Sequence, residues 1–202
     1  MKYEKDPDGR WHRYFDQQKG ESCGPTCVRI LVNAIKGRDV GEGPARRAVE
    51  IGEGQAVLTT FASESGGAGA MGSHDWGAHG GKGSGGATAT SSGSNMAPLR
   101  AACHSFGLVD ASIPVVSSWA ALSRTSLSNP GIAGVDWNGD IASFGGHWVV
   151  AAGALANGDI LAIDPIYGIG FFFQTDAGQV CYQDVPNTVW GLVPAGDVLV
   201  TA

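Results

Sequence analysis

The chain has 202 residues, enough for one domain with a real core, and its 43% hydrophobic and 16% charged content is that of a globular chain rather than a disordered one. The formal net charge is -6 and no basic cluster runs longer than Arg46-Arg47, which excludes nucleic-acid binding by phosphate neutralisation. The longest apolar run falls well short of the ~20 residues a membrane span needs.

The N-terminus, Met1 to Arg10, is charged and has no apolar segment of the Sec signal type. That points to a cytoplasmic protein or one exported by a dedicated machine. Four cysteines (Cys23, Cys27, Cys103, Cys181) in a chain of this length do not make a disulfide framework, and free thiols are expected.

Residues 1-22 read as an ordered lead-in with an edge strand around Arg13-Gln17. A helix is predicted over 24-36. Pro25 sits in its first turn, where a missing N-H costs nothing. Val28, Leu31, Val32 and Ile35 recur as a buried stripe, and Gly37 ends it after the cation of Lys36. A second helix opens at Pro44 and runs to Ile51. Residues 65-94 contain eleven glycines and six serines, too little apolar surface to offset their ordering entropy. They read as an inserted surface loop or as a flap held down by Trp76.

Met96, Leu99, Ala102, Cys103 and Phe106 give another helical stripe, ended by Gly107, and Ser118-Leu127 a further short helix. Strands are predicted over Ile132-Trp137, His147-Ala154, Asp159-Asp164, Gly168-Gln174 and Val189-Val193. Helices crowd the first half and strands the second. The expected class is α+β, a single domain over 1-202 with helices packed on an antiparallel sheet.

Three segments carry chemistry. Cys23, in Gln17-Gln18-Lys19-Gly20-Glu21-Ser22-Cys23-Gly24-Pro25, falls at a helix start, where dipole and free N-H groups favour a thiolate. Cys27, one turn on, reads as a core thiol. Of five histidines, His12 precedes this motif, His74 and His79 lie in the Gly-rich insert, and His104 falls mid-helix. His147 follows Gly145-Gly146 at the head of an apolar strand and suits a general base. Asp164 ends the next strand and can orient the imidazole. A tight two-residue turn at Asn157-Gly158 would hold the two side chains roughly 13 Å apart, so a loop spanning about 154-157 is expected instead. A glutamine amide and the Cys23 N-H would serve an oxyanion; both Gln17 and Gln18 are available.

The order Gln, five residues, Cys-Gly-Pro, then Gly-His-Trp-Val-Val, then Ile-Asp-Pro resembles the papain-like cysteine peptidase superfamily, and within it the C39 and C39-like branch, which includes bacterial peptidases that trim double-glycine leaders. The resemblance implies Cys23 as nucleophile, His147 as base, Asp164 as orienter and Gln17 as oxyanion donor, the six-residue offset favouring Gln17 over Gln18. It also implies a helical half packed against a C-terminal antiparallel sheet, with the active site in the cleft between them. A peptide or protein substrate and no cofactor or metal are expected. Two other functions fit the same residues: an acyltransferase or deamidase using the same thioester, and a binding domain without turnover.

Overall fold

The computed structural model describes residues 1-18, 22-63, 96-137, 146-194 and 197-201, with the backbone alone for 53-63, 137 and 146. The 65-94 insert, with Trp76, His74 and His79, lies outside the described residues.

The chain begins with a hairpin, β1 (Lys2–Lys5) against β2 (Trp11–Tyr14). Its turn is organised by buried Asp6, which accepts from Arg10 N and Arg10 Nε at 2.8 Å each, with His12 Nε2 also at 2.8 Å. The edge strand expected over Arg13-Gln17 therefore lies further toward the N-terminus and has its own partner. Tyr14 donates to Glu4 Oε1 (2.7 Å) and Glu4 Oε2 accepts from Ile169 N (2.9 Å), which stitches the hairpin to the main body.

Helix α1 (Cys23–Lys36) buries Val28, Leu31 and Val32 completely, with Ile35 partly covered. It stops at Gly37, whose φ of 66° few other residues adopt. Helix α2 (Glu42–Ser63) and α3 (Met96–Ser105) pack on each other and on α1, and α4 (Ser118–Leu122) is a single turn and a half.

The strands β3 (Gly131–Trp137), β4 (Gly146–Ala154), β5 (Ile160–Asp164), β6 (Gly168–Gln174), β7 (Val180–Asp184) and β8 (Trp190–Leu192) run antiparallel in that order. The short β9 (Val198–Leu199) pairs with β3 beside β8.

The expected architecture, a papain-like N-terminal helical half packed against a C-terminal antiparallel sheet with the site in the cleft between them, is corrected here. β3 pairs with β4 on one side and with β8 on the other, so six strands close into an antiparallel barrel, accompanied among the described residues by four helices. Closure needs β7, which the sequence reading did not assign, and β8 approaching β3 very closely. A Cβ on Gly191 would lie 2.4 Å from Val135 Cγ1 and 2.5 Å from Asp136 O, so only glycine fits that seam.

Closure also explains why β4 reads as an unbroken apolar run. Its alternate residues face two cores. Val149 and Ala151 point into the barrel with Val135, Ala162, Phe172 and Tyr182. Trp148, Val150 and Ala152 point outward, where Val28, Leu31, Leu99 and Cys103 of the helices cover them.

Candidate active site

Cys23 is the first residue of α1. Ser22 before it makes no capping hydrogen bond with its side chain, which instead accepts from Arg46, and the first turn holds no acidic residue. The positive end of the helix is left to act on whatever sits there. Gly24 lets the helix end approach the barrel: a Cβ there would lie 3.0 Å from Leu99 Cδ2 and 3.1 Å from Trp148 Cδ1. One turn on, the Cys27 thiol donates to Trp148 O at 3.3 Å. These contacts seat the start of α1 against the His147-Trp148 end of β4.

His147 is almost fully buried and Asp164 wholly so. By strand alternation both belong to the inward face of the barrel, at its end. Their Nε2–Oδ1 distance is 2.9 Å. The imidazole is also hydrogen-bonded to the Cys23 side chain. Cys23, His147 and Asp164 thus form one continuous chain of contacts, in the order the sequence suggested.

The route to that contact differs from the expected one. The β4–β5 loop is neither a two-residue turn nor a loop over 154-157. Leu155 N donates to Asp159 O (2.7 Å) and Gly158 N to Leu155 O (3.0 Å), with Gly158 at φ 93°, a three-residue connection on Asn157-Gly158. A bulge at Gly153, φ 102°, then shifts the register by one. Val150 faces Ile163 and Ala151 faces Ala162, and continuing that register sets Asp164 opposite Val149, two residues from His147 on the same face. Such diagonal neighbours are within reach of an aromatic side chain, so direct opposition was never required.

Asp164 is held from four sides. Oδ1 also accepts from Ile166 N (2.7 Å) and Tyr167 N (3.0 Å), and Oδ2 accepts from the Tyr182 hydroxyl (2.8 Å). Tyr167 stands edge-on to the imidazole, ring centroids 6.4 Å apart. Sequence reading missed Tyr182 and Tyr167. Tyr182 had no assigned strand and therefore no face; Tyr167 is placed by the turn that follows Asp-Pro.

The electrostatics favour an ion pair. Burial alone would raise the Cys23 pKa, but the His147 imidazole and the N-H groups of Trp148 and Gly24 outweigh it and hold the thiol below its ordinary value. Burial alone would lower His147; the Asp164 charge and hydrogen bond, then Cys23, push it up to about 10. Burial would raise Asp164, and His147 with the two backbone N-H donors keeps it low. Cys27 goes the other way: burial and the nearby Cys23 charge raise it well above an ordinary thiol, in keeping with a packing role.

Gln17 and Gln18 part company. Gln17 is half-buried, and its N-H donates to Pro165 O (3.0 Å), tying it to the residue after Asp164. Gln18 is exposed and its N-H is taken by Glu42 Oε2 (2.6 Å). His12 is committed to Asp6, and His104 lies 2.9 Å from Ala111 O. Among the described residues no cluster of three His, Cys, Asp or Glu side chains is arranged to hold a metal, and no helix is long and apolar enough to cross a membrane. No family model, curated protein or solved structure matches the chain.

Proposed function

We propose that the protein is a cysteine peptidase of the C39-like kind, hydrolysing a peptide or protein amide through Cys23, His147 and Asp164, with Gln17 as oxyanion donor. The observation that carries the reading is the imidazole of His147 hydrogen-bonded both to the side chain of Cys23 and to Asp164. The likeness to that branch rests on the ordered motifs and the roles they imply, not on the two-part architecture.

In this reaction the Cys23 thiolate adds to the substrate carbonyl carbon. The oxyanion formed is met by the Cys23 N-H and the Gln17 amide. Imidazolium His147 gives its proton to the leaving amine, the C-N bond breaks, and a thioester remains. Water then adds to the thioester as His147 takes its proton, and the acid departs with the thiolate restored. Asp164 keeps the ring oriented and its charge stabilises the imidazolium throughout.

The test is a peptidyl acyloxymethyl ketone at neutral pH, with the adduct located by mass. One adduct on Cys23, absent in His147→Ala, is expected; equal labelling of all four cysteines would overturn the assignment. Digestion of a peptide library with an added amine then separates the alternatives. New carboxyl termini mark hydrolysis, and amides of the added amine mark acyl transfer.

A further inference from the structure

The turn after β5 carries two large apolar side chains into solvent at the edge of the site. Ile166 is 41% exposed and Tyr167 is 40% exposed. Asp164, Cys23 and Tyr167 all border the His147 imidazole, Tyr167 with its ring edge-on and the centroids 6.4 Å apart. Asp164 is wholly buried, whereas Cys23 and Tyr167 both reach solvent.

The exposure of these two residues does not come from a loose loop, because hydrogen bonds pin the backbone on both sides. Ile166 N and Tyr167 N donate to Asp164 Oδ1 at 2.7 and 3.0 Å. Pro165 O accepts from Gln17 N at 3.0 Å, and Ile169 N donates to Glu4 Oε2 at 2.9 Å. Scattered single apolar residues on a surface need no explanation. Two adjacent ones on a fixed turn, one of them against the general acid, form a surface that a ligand orders at little entropic cost.

The chemistry decides which part of a substrate meets that surface. Imidazolium His147 protonates the leaving amine, so that nitrogen comes within about 2.6–3.2 Å of the ring. The Cα that bears the next side chain is one bond away, ~1.5 Å. The side chain of the residue after the cut therefore emerges beside the imidazole, where Tyr167 stands. The acyl half is held instead at Cys23 and the oxyanion donors.

We infer that Ile166 and Tyr167 receive the amine half of the substrate and select a large apolar residue immediately after the bond that is cleaved. This deepens the peptidase reading and rests on it. The same surface receives the acceptor amine if the thioester passes its acyl group to an amine rather than to water.

The experiment forms the acyl-enzyme without an amine half. N-acetylglycine p-nitrophenyl ester acylates Cys23, the thiolate displacing p-nitrophenol, which leaves with the His147 proton. An added amino-acid amide then competes with water: its nitrogen adds to the thioester carbonyl, His147 takes its proton, the C-S bond breaks and the thiolate is restored. Leucinamide and phenylalaninamide are each set against equal glycinamide, and the N-acetylglycyl amides formed are counted by mass. The thioester of N-acetylglycine with free N-acetylcysteamine gives the intrinsic ratio. The protein should favour the apolar amides about ten-fold over that ratio, the scale of covering one large apolar side chain. In Ile166→Ala/Tyr167→Ala the preference should fall back to the intrinsic ratio. A parent ratio equal to the intrinsic one, which needs no variant to observe, would overturn the inference. So would a preference that survives the double substitution. If the acyl group is not found on Cys23, the peptidase reading has failed instead, and the site of acylation tells the two failures apart.

Discussion

Replacing Asp164 tests whether the buried carboxylate organises the barrel end as well as the imidazole. Asp164 is wholly buried and accepts four hydrogen bonds, from His147, Ile166 N, Tyr167 N and Tyr182. Asp164→Ala strips all four at once and leaves buried donors facing a void, a loss of about 3–5 kcal/mol. For a chain of this size that lowers Tm by ~6–20 °C. Asp164→Asn keeps the volume and the Oδ1 acceptor, removes the charge and sets an amide NH2 against the Tyr182 hydroxyl, which must turn to accept, so its cost is about 1–2 kcal/mol. The two variants also part in reactivity. Without the Asp164 charge, the largest influence raising His147, the imidazolium loses its proton at lower pH, and the alkaline limb of any activity profile moves down from near pH 10. Differential scanning calorimetry of the three proteins, with a pH profile of probe labelling for parent and Asp164→Asn, checks both parts. Alanine and asparagine variants melting alike, within about 2 °C of the parent, would refute the account of Asp164.

Gln17→Ala should lower kcat on a cleaved peptide by ~10²–10³, the usual cost of one oxyanion donor, while Gln18→Ala leaves it where it was; steady-state kinetics of both variants separate them. Gly191→Ala drives a methyl into Val135 and Asp136 at the barrel seam and should cost about 2 kcal/mol or more in urea unfolding. Gly43→Ala, with nothing within 4 Å of the added methyl, is its neutral control. Asp6 is held at about 2 against an ordinary 3.8, because His12 and Arg10 outweigh the burial that would raise it. The stability it lends is present above the ordinary value and lost as pH falls through about 2. Acid unfolding followed by tryptophan fluorescence should lose part of its slope between pH 4 and 2 in Asp6→Asn.

What the sequence made legible was local. Cys23-Gly24-Pro25 marks a helix start because proline is free at the first turn, and Gly37 marks its end because the chain must turn left-handed there. The stripe of Val28, Leu31 and Val32 names its own buried face. The grouping of Cys23, His147 and Asp164 was legible as well, since thiol, imidazole and carboxylate at element ends have few common structural uses together. The barrel was not. It depends on Trp137 meeting Gly191 across more than fifty residues, on a three-residue strand, and on Val180-Asp184, whose Cys-Tyr-Gln centre gives a weak period. Strand pairing of that kind is decided by packing between distant segments rather than by local preference. The hairpin after His147 failed for a smaller reason. Asn157-Gly158 announced the turn, but Gly153's bulge, one residue of extra backbone, reset the register, and only the assembled sheet reveals which glycine bulges.

The central claim is that Cys23 is a thiolate paired with the His147 imidazolium. The rate of Cys23 alkylation by iodoacetamide, followed by peptide mass against pH in the parent and in His147→Ala, tests it most directly. The parent should already react at its plateau rate well below the ordinary thiol value of 9.0, and His147→Ala should move the midpoint up toward that value. A parent midpoint at or above 9.0, unmoved by His147→Ala, would contradict it.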